Sequence, residues 1–245
     1  MKKIQFIIAA VTMLSFNACE KSNDTATPPP AAYKCLSCKI TPDAVAANNS
    51  SSKGIYKGVI IGSTGTIMFD IANNGTAITA VMVIDGVTVN LTSNVAWVAG
   101  QAYIAPFTGS LNGATVTINL YVGISGGAPT VTSSNIPGHP DASLNIIKET
   151  SSNLVECFEG TFSTTRPETG VFNMIVLRTL NTWTAVSRKT GSQTSNTGSG
   201  TISDNKLIDP SQNNRSIGTL NVDGINGSFV DTNGNNVTIT GKRTL

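Results

Sequence analysis

From about Lys53 to Leu245 the chain repeats one pattern: short β-branched or aromatic runs of strand length, separated by small polar residues. GTIMFDI (65–71), ATVTINLYV (114–122), GVFNMIVL (170–177), TWTAVSR (182–188) and NVTITGK (236–242) are the clearest of these runs. Between such runs stand Asn74-Gly75, Asp85-Gly86, Asn112-Gly113, Asp223-Gly224, Asn226-Gly227 and Asn233-Gly234. Asn, Asp and Gly tolerate the positive φ that tight hairpin turns require, so each pair predicts a turn between antiparallel neighbours. No segment carries a sustained helical apolar stripe with a cap and a stop. The expected fold class is all-β, an antiparallel meander forming a sandwich or barrel.

The pattern also suggests two related halves. YKGVIIGSTGTIMFDI opens the first and FEGTFSTTRPETGVFNMIV the second; FTGSLNGATVTINL and FVDTNGNNVTITGK are a second matching pair. Spacings differ between the pairs, and shared hairpin grammar could produce part of the likeness. The expected layout is a first β half at 53–135, a connector at 136–155 and a second β half at 156–245. Two arrangements follow, paired lobes or one large closed sheet, and closure would remove exposed edges. In GSGTISDNKLI and the strands after it, the second half resembles small calycin-like barrels in its meander rhythm.

The N-terminus reads differently. Met1-Lys2-Lys3 and the apolar run Ile4–Phe16 form a signal peptide over 1–18, with an apolar segment too short to span a bilayer. Phe16-Asn17-Ala18-Cys19 resembles the lipobox of bacterial lipoproteins, which implies cleavage before Cys19 and acylation of its sulfur. Phe16 departs from the aliphatic residue usual in that motif. Glu20 and Asp24 follow; in Bacteroidota-type lipoproteins acidic residues here accompany surface export, whereas in enterobacterial ones they can mean inner-membrane retention. The resemblance implies a cell-envelope protein held to the membrane by a lipid anchor, at the outer membrane or cell surface. Residues 19–52 then read as a Pro-rich tether containing a CxxC pair; its stretch from Glu20 to Tyr33 could reach on the order of 40 Å if polyproline-like.

Charge narrows the partners. Of sixteen Lys and Arg, Lys2 and Lys3 fall in the signal peptide, leaving fourteen against fourteen acidic residues. A near-neutral mature chain argues against nucleic acid, which needs a clustered basic face.

The candidate chemistry is sparse. Cys35 and Cys38 form a CxxC pair, and Cys157 is the remaining non-lipidated thiol. Outside the inner membrane a disulfide is the default, either Cys35 with Cys38 or Cys157 with one of them. The latter would close a loop of over 100 residues, worth up to about 4–5 kcal/mol by chain-entropy reasoning. The sharper alternative joins Cys35, Cys38 and Cys157 to the lone histidine, His139, as a Cys₃His zinc set. His139 lies in IPGHPD, which reads as an exposed turn in the connector. A hydrolase would need that histidine in a triad, or two facing carboxylates among Asp70, Asp85, Glu149, Glu156 and Glu159. The acidic residues read mainly as solvated turn and strand positions. Asp231-Thr-Asn-Gly-Asn-Asn carries oxygen donors at alternate positions, as a calcium loop begins, but lacks the late bidentate carboxylate and fits a hairpin turn. Trp97 and Trp183 could stack on a ligand such as a sugar ring or fill the core.

These observations point to a non-enzymatic, cofactor-free binding or assembly module at the envelope, with a glycan or partner protein as ligand. A metal- or thiol-dependent protein using the CxxC pair, and an envelope hydrolase, are the competing readings.

Overall fold

A computed structural model describes residues 33–245. They fold as two consecutive eight-stranded antiparallel meanders. The first contains β1 (Gly54–Ile61), β2 (Gly65–Ile71), β3 (Ile78–Ile84), β4 (Val87–Thr92), β5 (Tyr103–Leu111), β6 (Ala114–Val122), β7 (Thr130–Asn135) and β8 (Ser143–Lys148). Each strand pairs with the next as far as β7, and β8 returns to the free edge of β1. No ladder joins β7 to β8 among the described residues, so this barrel is nearly closed, with one open seam. The second contains β9 (Glu156–Thr164), β10 (Thr169–Leu177), β11 (Thr182–Lys189), β12 (Ser195–Ser203), β13 (Lys206–Asp209), β14 (Arg215–Leu220), β15 (Gly224–Val230) and β16 (Asn236–Arg243). Here β16 pairs with β9 and the barrel closes.

All five clear sequence runs lie on strands: β2, β6, β10, β11 and β16. Asp85-Gly86 and Asn112-Gly113 form two-residue turns with both residues at positive φ. Asn226-Gly227 does not turn; it lies within β15. A Cβ at Gly227 would stand 2.1 Å from the Ile217 carbonyl oxygen, so glycine is required there for close approach to β14.

The first of the two internal matches survives in space. Tyr56 and Phe158 sit on the opening strands of the two meanders, and each is fully buried in its own barrel. The second match does not: FTGSLNGATVTINL forms the fifth and sixth strands of its meander, FVDTNGNNVTITGK the seventh and eighth. Two hairpins with Asn-Gly turns look alike wherever they fall.

Two sequence boundaries shift. Ser143–Lys148, inside the expected connector, is β8, and its Tyr56–Lys148 and Ile61–Ser143 registers complete the first sheet. The fold also begins before Lys53. Residues 33–52 form a strap on the barrels: Tyr33 Oη donates to the Arg243 carbonyl at 2.8 Å, and Asn48 Nδ2 to the Asn73 carbonyl at 2.8 Å. Lys148 Nζ donates to the carbonyls of Asn48, Ser51 and Lys53, tying the end of the strap to β8.

Most strands alternate buried and exposed positions, as a one-sided sheet must. β1, reading GIYKGVII, is buried at every position, and β10 is nearly so. These two strands are covered on both faces because they meet where the barrels dock. Tyr56 and Ile60 point into the first core, while Val59 packs with Val155, Cys157 and Ile175 in a separate cluster between the barrels.

That junction carries a buried charge. Lys57 on β1 is 1% exposed, and its Nζ lies 2.7 Å from Glu149 Oε2 and 3.2 Å from Asp43 Oδ2. Glu149 is fully buried and also accepts from the backbone N–H groups of Asp43 (2.7 Å) and Val155 (3.0 Å). The carboxylate thus joins strap, first barrel and second barrel at one point. Glu149 and Glu156 are therefore not solvated carboxylates, contrary to the sequence expectation. Removing one partner strands the other in a dry site. Lys57→Met is expected to lower stability by about 3–5 kcal/mol in urea unfolding, with part of the loss recovered in Lys57→Met/Glu149→Leu. A single variant as stable as the parent would contradict this role.

Candidate functional site

Inward positions of the second barrel decide its character. Phe158, Val176, Leu207, Leu220 and Ile225 fill one end and are buried. Below them Arg243 Nη1 lies 2.9 Å from Glu156 Oε1, and Arg178 Nε reaches Glu156 Oε2 at 2.5 Å. This end is shut.

The other end is open. A cavity of about 440 Å³ enters the barrel there, within the range typical of small-molecule sites. Its floor and walls include Phe162, Phe172, Met174, Trp183, Ile217 and Phe229; Ser187 and Asn196 stand higher on the walls. Four charged residues line it: Glu168, Lys189, Asp209 and Asp231. Lys189 Nζ pairs with Glu168 Oε1 at 2.6 Å.

Glycines place the rings. A Cβ at Gly160 would meet the Phe172 ring at 2.4 Å, one at Gly170 the Phe162 ring at 2.4 Å, and one at Gly200 the Trp183 ring at 2.8 Å. The aromatic side chains therefore pack against bare backbone, and Phe172, Met174 and Trp183 stay largely buried at the bottom of the cavity. The wall is also incomplete: β12 pairs with β13 only over Thr201–Ser203, because β13 stops at Asp209 and Pro210 opens a 3-10 turn. Asp209 Oδ1 caps that turn, accepting from Ser211 N at 2.8 Å and Ser211 Oγ at 2.7 Å.

The first barrel has the opposite interior. Phe69, Phe107, Met82, Ile67, Ile118 and Leu120 fill it with essentially no exposure, and Phe69 meets Phe107 edge-on at 4.9 Å between centroids. The first barrel is packed along its length, whereas the second is packed at its closed end and opens into a cavity at the other.

The residues singled out from sequence disperse. Cys19 lies outside the described residues. Cys35 and Cys38 stand at disulfide distance, Cα atoms 5.4 Å apart. Cys157 is free and buried between the barrels, its Sγ 3.6 Å from the Gly58 carbonyl oxygen, so it staples nothing to the strap. His139 is not an exposed connector: its side chain is 17% exposed, its Nδ1 hydrogen-bonds Ser63 Oγ, and Asp85 Oδ2 lies 3.7 Å away. The four proposed zinc ligands are not brought together, and no group of three or more such ligands could hold a metal among the described residues. Asp70 and Asp85 accept from neighbouring turn backbone, at Asn73 N and Thr64 N. Glu159 is pushed up by burial, with Lys242 opposing the shift. None of the five candidate glycosidase carboxylates lines the cavity. Asp231 accepts from Asn233 N and Asn235 N at 2.9 and 2.8 Å, which makes DTNGNN the β15–β16 turn.

The two tryptophans separate. Trp97 packs against the first core, its Nε1 donating to Ser52 Oγ at 2.8 Å, with Lys53 Nζ 4.9 Å from the ring centroid. Trp183 lines the cavity while its Nε1 donates to the Thr201 and Ile208 carbonyls. Sequence reasoning missed the rest of the cavity. The available signal was glycine at alternate positions of SNTGSGTIS, beside the strand that carries Trp183, which leaves little side chain on the inner face of β12.

No protein-family model, curated protein or solved structure matches the chain.

Burial pushes the Cys157 thiol up to about 12, keeping it protonated and unreactive at neutral pH. Iodoacetamide at pH 8 is expected to leave Cys157 unmodified in the native protein and to alkylate it fully in denaturant, read by peptide mass. Rapid native labelling would show that the junction opens.

Proposed function

We propose that this protein is a non-enzymatic binding module, held at the cell envelope by a lipidated Cys19, whose second barrel takes a small molecule with an apolar body. The carrying observation is the contrast between the two interiors. Eight strands enclose a space that side chains can just fill, or that can admit one small ligand. The first barrel is filled, while the second keeps a cavity at its open end. An aromatic floor with a polar mouth is the usual division of labour in a ligand site: the floor supplies affinity and the mouth supplies orientation. A glycan, the ligand class suggested by sequence, is the competing occupant.

Several features support the envelope part of the reading. Cys19 follows a lipobox-like stretch, and the described strap begins fourteen residues beyond it. Several acyl chains, at about 0.8 kcal/mol per buried CH₂, would hold such a protein to a membrane durably. In a bacterial host that processes lipoproteins, metabolic acyl labelling and membrane fractionation should find the label on the mature chain and lose it in Cys19→Ser. Unlabelled parent protein would remove the anchor from the account.

Binding is tested with N-phenyl-1-naphthylamine, a neutral apolar fluorophore. Its fluorescence should rise with a Kd on the order of 10 µM, given its small size. Ala185→Phe, which fills the cavity from β11, should weaken that binding at least tenfold with unfolding otherwise cooperative. A titration unchanged by the substitution would place the ligand elsewhere, and tighter binding of oligosaccharides than of the fluorophore would favour the glycan.

A further inference from the structure

The charges around the cavity do not cancel. Glu168 and Lys189 neutralise each other at 2.6 Å, which leaves Asp209 and Asp231 as the remaining charged lining residues. Both are held by turn donors rather than by cations. Asp209 receives Ser211 N and Oγ on Oδ1, and no hydrogen bond among the described residues reaches its Oδ2. Asp231 receives Asn233 N, Asn235 N and Asn235 Nδ2, and these donors hold its carboxyl below the usual range, so it is ionised throughout the neutral region. Arg215 stands cross-strand from Asp209 and its Nη1 donates to the Val230 carbonyl at 3.4 Å, but it forms no ion pair with either carboxylate among the described residues and does not line the cavity.

Beneath these carboxylates lie the rings of Phe162, Phe172, Trp183 and Phe229. Aromatic faces carry negative electrostatic potential and attract cations within about 6 Å. Mouth and floor therefore favour the same sign of charge, while the apolar floor favours a hydrophobic body. Resting on the reading of this cavity as a ligand site, we propose that its ligand is a cationic amphiphile: an apolar or aromatic body bearing an amine or quaternary ammonium. The body seats against Trp183 and the phenylalanines, and the ammonium stays near the mouth beside Asp209 and Asp231. Anionic amphiphiles of the same shape, fatty acids among them, are disfavoured by the same two carboxylates.

The experiment uses three matched probes on the full chain in low salt: 2-naphthylmethyl-trimethylammonium, 2-naphthalenemethanol and 2-naphthylacetate, titrated calorimetrically. The cation should bind roughly tenfold or more tighter than the anion, as two partly solvated charges imply. In Asp209→Asn/Asp231→Asn the gap should fall to within about threefold, while the neutral probe is unchanged within about twofold; asparagine retains the side-chain oxygen that both turns use. About 0.5 M NaCl should also narrow the gap. Equal affinities, a tighter anion, or a gap untouched by the double variant would overturn the charge preference while the neutral probe still reports an occupied cavity. Failure of all three probes to bind would overturn the cavity reading and the preference with it.

Discussion

The width of an eight-stranded barrel governs this molecule. At that strand number the interior closes when large side chains point inward and stays open when they do not. In the first meander most inward positions carry Ile, Val, Leu, Met, Phe or Tyr, and little space is left. In the second, glycines at 160, 170, 198 and 200 replace those side chains. Phe162, Phe172 and Trp183 pack onto the bare backbone and form the aromatic bottom of the cavity at the open end. One topology thus gives a filled barrel and a barrel with an open-ended cavity, and the difference lies in a handful of inward residues.

Docking the two barrels adds a second constraint, because β1 and β10 are buried on both faces. Burying Lys57 within that contact is costly unless its ammonium is fully matched. Glu149 and Asp43 match it, and Glu149 also receives two backbone N–H groups. Because Asp43 belongs to the strap, the N-terminal segment is fastened at the same point. The strap's other contacts, Tyr33 with the Arg243 carbonyl and Arg243 Nη2 with the Lys39 carbonyl, tie it to the closed end of the second barrel. The cavity opens at the opposite end, away from these fastenings. A chain held from its N-terminus would therefore keep its mouth unobstructed by its own tether.

The all-β meander was legible because strand-length runs and Asn-Gly or Asp-Gly turns are local signals, and five runs mark five strands. What was not legible depended on distant partners. GIYKGVII reads as one apolar strand, yet its lack of alternation is the mark of a strand covered on two sides. Glu149 and Glu156 looked solvated because their cations are distant in sequence: Lys57 for the first, Arg178 and Arg243 for the second. Asn226-Gly227 has the letters of a turn but serves close strand approach, a choice set by β14. Of the site, only Trp183 and Asp231 were singled out, the latter as a turn. The remaining lining comes from all the strands of a closed barrel, and glycine at alternate positions was its one local trace.

If the cavity of the second barrel takes a ligand while the first barrel is filled, only the second should admit an apolar probe. A crystal soaked with a bromonaphthalene tests it most directly, because anomalous scattering locates bromine without prior assumptions. One strong bromine peak is expected in the cavity of the second barrel, between Trp183 and Phe229, and none inside the first. Bromine confined to the outer surface, or present equally in both interiors, would contradict it.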